Sequence, residues 1–172
     1  MMSSDFFQGV RVRRSVPADA PAIVAAIESV CAEGIYFQTD TFIPNRHWEA
    51  VLYRPESVPQ HLSAVAELGG EIVGSVRLFA GMCGPKDRHV AELGIFVLLP
   101  YRGQGVGKQL MAYALDWAVS RGLKKITLSV FTTNRRAIRL YEQFGFIVEG
   151  ERKMQYNIKD EYVDEILMAK FF

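Results

Sequence analysis

Three glycines at alternate positions, 103, 105 and 107, separate an apolar strand-like run at 90–98 from a long amphipathic stretch at 108–121. A turn that ends a strand and opens a helix aims several unpaired backbone N–H groups at one spot. The helix dipole makes that spot favourable for an anion. Glycine lets a phosphate approach the backbone and tolerates positive φ. The stretch Tyr101-Arg102-Gly103-Gln104-Gly105-Val106-Gly107-Lys108 therefore reads as a cradle for a phosphate or diphosphate. The plainer alternative is a Gly-rich connection, although three glycines in five residues are more than a connection needs. A nucleotide P-loop requires Ser or Thr after Gly-Lys, and Gln109 stands there. The glycine spacing also differs from the dinucleotide fingerprint.

The rest of the chain alternates strand and helix signals. Residues 10–16 alternate apolar and basic side chains, as a half-buried strand does. A helix follows, with Asp19 as its expected N-cap, Pro21 in its first turn, and Ile23, Ile27, Val30 and Cys31 on one face. Residues 34–60 are irregular and aromatic, with a short helix expected over 45–54. Strands at 62–68 and 71–79 flank Gly69-Gly70, a hairpin signal. The helix at 108–121 has Val106, Leu110, Ala114 and Trp117 on its expected buried face. A strand at 125–131, a helix at 134–144 and strands at 147–158 and 161–171 complete the pattern. The order predicts a mixed sheet with helices on its faces, of the α/β or α+β kind.

Composition excludes other classes. The 172 residues contain 20 Lys and Arg against 19 Asp and Glu, so no polybasic footprint for nucleic acid or a membrane surface exists. No apolar run approaches the ~20 residues that span a bilayer. The first nine residues lack a leader-like pattern. Cys31 and Cys83 form no CxxC pair, and no metal-ligand set is evident. One domain over 1–172 and a cytoplasmic location are the expectations.

The cradle resembles the coenzyme A motif of the GNAT superfamily of N-acetyltransferases, Arg/Gln-x-x-Gly-x-Gly/Ala, on Arg102, Gly105 and Gly107. A second motif of that family, Asn-x-x-Ala-x-x-Leu-Tyr-x-x-x-Gly-Phe, matches Asn134, Ala137, Leu140, Tyr141, Gly145 and Phe146. The spacing, one helix and one strand, agrees. One departure is Pro100, two residues before Arg102 where members often place it three before. The resemblance implies the acyl-CoA N-acyltransferase fold: a seven-stranded mixed sheet, with the strands at 90–98 and 125–131 splayed apart to hold acetyl-CoA. It implies that the backbone of Arg102, Gly103, Gln104, Gly105, Val106, Gly107 and Lys108 binds the diphosphate. Ile95, Phe96 and Val97 would pair with the pantetheine arm. Asn134, Ala137, Leu140 and Tyr141 would line the thiol end.

Acetylating an amine needs a base for the attacking nitrogen, whose free pKa is about 10.4 in a lysine-like amine, and an acid for the departing thiolate. The resemblance makes Tyr141 the general acid. Glu92, on the strand feeding the cradle, is the best candidate base, with burial expected to raise its pKa; His89 and Asp164 are weaker candidates. Glu33, Tyr36, Phe37, Tyr156 and Tyr162 are the expected acceptor-binding residues, aromatic walls with a carboxylate suiting an amine. Taken singly, each aromatic residue is better explained as core. The tail 161–168 is similar to that of members acting on amino acids and other small amines. The expected activity is acetyl transfer to a small primary amine such as an amino acid or polyamine. The alternatives are a protein N-terminal or lysine acetyltransferase and a non-catalytic acyl-CoA sensor. Dimers are common in such families, so a homodimer is an expected assembly.

Overall fold

A computed structural model describes residues 9–172, so the expectation of no leader over the first nine residues lies outside the described residues except for Gly9. Seven strands form one sheet: β1 (Arg11–Arg14), β2 (Leu62–Leu68), β3 (Glu71–Ala80), β4 (Val90–Val97), β5 (Lys125–Phe131), β6 (Ile147–Ile158) and β7 (Glu161–Phe171), in the order β1-β2-β3-β4-β5-β7-β6. Four helices flank it: α1 (Ala20–Ala32), α2 (Arg46–Tyr53), α3 (Val106–Ser120) and α4 (Arg135–Gln143). Every pairing is antiparallel except β4 with β5. That parallel pair touches over only three positions, Val90↔Lys125, Ala91↔Ile126 and Glu92↔Thr127. Beyond Glu92 the two strands diverge, and β4 has no partner on that edge.

Two apolar layers hold the sheet. On one face Val106, Leu110, Met111, Ala114 and Ala118 of α3 pack against β2 and β3, joined by Tyr141 and Phe146. On the other, Ile23, Ile27, Val30 and Cys31 of α1 and Val51 and Leu52 of α2 pack against Val65, Phe79 and Phe96. Truncating a fully buried side chain such as Leu110 to Ala costs roughly 2–5 kcal/mol. Three sequence expectations need correction. Trp117 is half-buried, because α3 turns Ala118 inward instead. Asp19 does not cap α1; its carboxylate takes the Arg13 guanidinium at 2.7 and 2.9 Å and the Val16 N–H at 2.8 Å. The first strand is shorter than expected, ending at Arg14 before exposed Val16.

The α2 layer contains a buried histidine pair. His61 is 2% exposed. Its Nδ1 accepts the Ala80 N–H at 3.2 Å, so its proton must sit on Nε2, which donates to His47 Nδ1 at 3.3 Å. Burial lowers the His61 pKa, and His47 and Arg77 push it the same way. Arg46 lies beside His47, and Arg14 bonds the His61 carbonyl. A second proton on His61, at Nδ1, would meet the Ala80 N–H already in place. The unfolded chain binds more protons once pH falls below the ordinary histidine value of about 6.5, so stability is lost as pH falls from there through the lower folded value. Chemical denaturation should show stability falling by of order 1 kcal/mol between pH 7.5 and 5.5. His61→Gln, which keeps an acceptor for Ala80, should flatten that slope; an unchanged slope would show that His61 does not carry it.

Candidate active site

The turn between β4 and α3 puts Gly103 at φ 77° and Gly105 at φ 84°, conformations that disfavour side chains. Alternation of such residues with ordinary ones makes a concave nest of N–H groups. No backbone N–H from residues 103–108 donates to a protein group among the described residues; the first helical bond is Gln109 N–H to Gly105 carbonyl, 3.2 Å. Gly107 lies under α4, where an added Cβ would stand 3.3 Å from Leu140 Cδ2. The cradle thus has free donors, a helix N-terminus and no side chain in the way, which fits a diphosphate. Arg102 departs from expectation. Its N–H goes to the Leu99 carbonyl at 3.4 Å, so it is not a free donor. Its guanidinium bonds the Val97 carbonyl and Glu33, each at 2.7 Å, and lies 4.8 Å from the centre of the Tyr36 ring. The charged pair fastens the end of β4 to the end of α1. Gln104 closes the turn by donating to the Pro100 carbonyl at 2.7 Å.

A cleft of about 1780 Å³ runs from this cradle through the gap between β4 and β5 to the aromatic segment before α2. Ile95, Phe96 and Val97 line it on β4, and Ser129, Val130 and Phe131 on β5. Asn134 caps α4, its Oδ1 accepting the Ala137 N–H at 3.2 Å, and Asn134, Ala137, Leu140 and Tyr141 all border the cleft. Tyr141 is 7% exposed and packs 5.9 Å from Phe146, centre to centre. Burial pushes its phenol above the ordinary value of 10. It therefore keeps its proton at neutral pH and serves as a hydrogen-bond donor.

The expected base and acceptor residues divide. Glu92 lines the cleft but is not buried as expected: its side chain is 52% exposed and bonds Arg77 at 2.8 Å. Tyr36, Phe37 and Tyr156 line the cleft. Glu33 does not face an acceptor, because both its oxygens are committed to Arg102. Tyr162 is 65% exposed at the start of β7 and lies away from the cleft. His89 is exposed in its loop. Asp164 is committed to the Met154 N–H at 2.7 Å and Lys153 at 3.1 Å, contacts that lower its pKa.

Several cleft residues were not anticipated: Gln38, Arg77, Ser129 and Arg152. Behind them lies Glu165, 1% exposed. Its place in β7, in phase with buried Val163, was a usable signal: a carboxylate at an inward position. Gln38 and Arg152 carry no such local mark.

The Acetyltransferase (GNAT) family model matches residues 24–146, which contain the cradle, the diverging strands and Tyr141. The chain belongs to this family. Membership makes it an acetyl-CoA-dependent N-acetyltransferase. An L-amino acid N-acetyltransferase of Escherichia coli is 33% identical over 107 residues, 62% of this chain and 65% of that protein. An N-alpha-acetyltransferase of Mycobacterium tuberculosis is 29% identical across 83% of this chain and 86% of its own length. A GNAT-family acetyltransferase structure from Streptococcus pneumoniae superposes with a TM-score of 0.86 at 28% identity, covering 95% of this chain and 99% of that one. The expected fold, including the splayed central strands, is the one observed. Among the described residues no helix is long and apolar enough to cross a membrane.

Gly105→Val would place a β-branched side chain at positive φ within the cradle. Calorimetry should find acetyl-CoA binding abolished in a variant that still folds by circular dichroism. Normal affinity would remove residues 103–108 from the diphosphate site.

Proposed function

We propose that this enzyme acetylates the amine of a small acceptor that also carries a carboxylate, an amino acid being the simplest case. The observation that carries this choice is the charge pattern of the cleft. Its two carboxylates are already matched: Glu92 by Arg77 and Glu149 by Lys125. A polyamine needs unmatched carboxylates, whereas Arg152, exposed in the cleft with guanidinium donors left over, suits an anionic group. The aromatic rings of Tyr36, Phe37, Phe42 and Trp48 give that end apolar walls, which favours a small molecule over a protein segment. The Escherichia coli relative named for L-amino acids supports the same reading. The mycobacterial N-alpha-acetyltransferase supports the alternative of a peptide N-terminus, which presents the same α-amine.

In the proposed reaction the amine nitrogen attacks the thioester carbonyl, a C–N bond forms and the C–S bond breaks. Glu92 takes the proton from nitrogen, directly or through water. The open edge of β4 pairs with the pantetheine arm as an added strand would. Tyr141 faces the departing sulfur. A thiol like that of cysteine has a pKa near 8.5, below that of this phenol, so Tyr141 stabilises the thiolate mainly by donating a hydrogen bond.

Two measurements test this reading. In a panel of amines assayed by thiol release, amino acids should turn over and spermidine should not; preference for spermidine or for peptides alone would overturn it, and coenzyme binding without any turnover would favour a sensor. Tyr141→Phe should lower kcat at least about 100-fold, as removal of a positioned donor does, with acetyl-CoA affinity little changed. Unchanged kcat would strip Tyr141 of its role.

A further inference from the structure

Glu165 is the only charged side chain among the described residues that is buried. A carboxylate out of water costs several kcal/mol unless paired and hydrogen-bonded. Here both oxygens are used. Oε1 accepts from Gln38 Nε2 at 3.0 Å and from the Tyr156 hydroxyl at 3.3 Å; Oε2 accepts from the Arg152 guanidinium at 2.9 Å. Gln38 Nε2 also donates to Ser129 Oγ at 3.1 Å, on the diverging part of β5. Glu165 thus ties three segments together: the aromatic loop before α2, the open half of β5 through Gln38, and β6.

The backbone of β6 is shaped to allow this. Arg152 pairs with Glu165 and Tyr156 with Val163, so between these pairs β6 has three residues where β7 has one. The excess is taken up in a bulge where Met154 has φ 50° and its N–H bonds Asp164 at 2.7 Å. Bulges re-aim side chains, and a non-glycine residue at positive φ is held only where its surroundings demand it. This one draws Tyr156 back along the strand to share Glu165 with Arg152.

Arg152 uses one guanidinium nitrogen on Glu165; its remaining donors have no protein partner among the described residues, its side chain is 54% exposed, and it lines the cleft. An arginine oriented by a buried carboxylate, with its other N–H groups facing a cleft, is suited to hold a second carboxylate in two-point contact. We infer that Arg152 reads the carboxylate of the acceptor and that Glu165 is the positioning residue that aims it. This rests on the reading of the cleft as an amine-acetylating site and adds the group that selects the amine.

The test compares L-phenylalanine, L-methionine and L-leucine with their carboxamides, which keep size and amine but lose the charge. The wild-type protein should prefer the acids. Arg152→Gln, a change at an exposed side chain, should lower kcat/KM for the acids about 10- to 100-fold relative to the carboxamides, the range of one charge-assisted hydrogen bond. Acetyl-CoA affinity should not change. Glu165→Gln should raise KM for the acids more than it lowers kcat, and Glu165→Asp should recover part of the preference. An equal loss for acids and carboxamides in Arg152→Gln, or no loss, overturns the inference, as does a wild-type protein that prefers the carboxamides. A protein that turns over no amine, or does not bind acetyl-CoA, would instead fail the functional reading beneath it. Should Glu165 variants not fold, the Arg152→Gln ratio alone decides.

Discussion

The structure depends on the early parting of β4 and β5. Three parallel pairs join them, and then each strand relies on its outer neighbour alone, β4 on β3 and β5 on β7. Opening a sheet at its centre costs ladder hydrogen bonds and exposes strand edges, a state proteins ordinarily avoid. It persists here because each half keeps a full antiparallel partner and two helical layers clamp the sheet from both faces. The exposed edge of β4, the free N–H groups of the turn that follows it, and the buried phenol of Tyr141 all face one cleft. Chemistry at that cleft follows from the gap.

Charge around the gap is used mainly for placement. Glu33 with Arg102, Glu92 with Arg77 and Glu165 with Arg152 each join different elements. Exposed pairs of this kind contribute little to stability, and buried ones roughly balance their own desolvation. Their effect is geometric. The Glu33–Arg102 pair binds the Gly-rich turn to the wall carrying Tyr36, so the two ends of the cleft are mechanically linked. Matching the carboxylates with cations also leaves Arg152 with guanidinium donors to spare in the cleft.

All seven strands and four helices stood close to where apolar periodicity and turn residues put them, because those signals act over a few neighbouring residues. The Gly-rich turn and the helix that carries Tyr141 were legible for the same reason: a strand–turn–helix junction and a helix-borne motif are local. Misreadings arose where partners are distant. Glu33 looked available to a substrate until Arg102, 69 residues away, claimed both its oxygens. Glu92 looked buried because its strand is central, yet its side chain is half-exposed in the cleft.

The amino-acid sequence by itself therefore determined the elements, their order and the Gly-rich turn between β4 and α3, through backbone preferences and side-chain periodicity that need no long-range contact. Only the tertiary structure decided which charges remain free. Gln38 meets Glu165 across 127 residues, and a bulge in β6 decides that Tyr156 joins them. Such pairings depend on which strands become neighbours and in what register, and no window of adjacent residues contains that information.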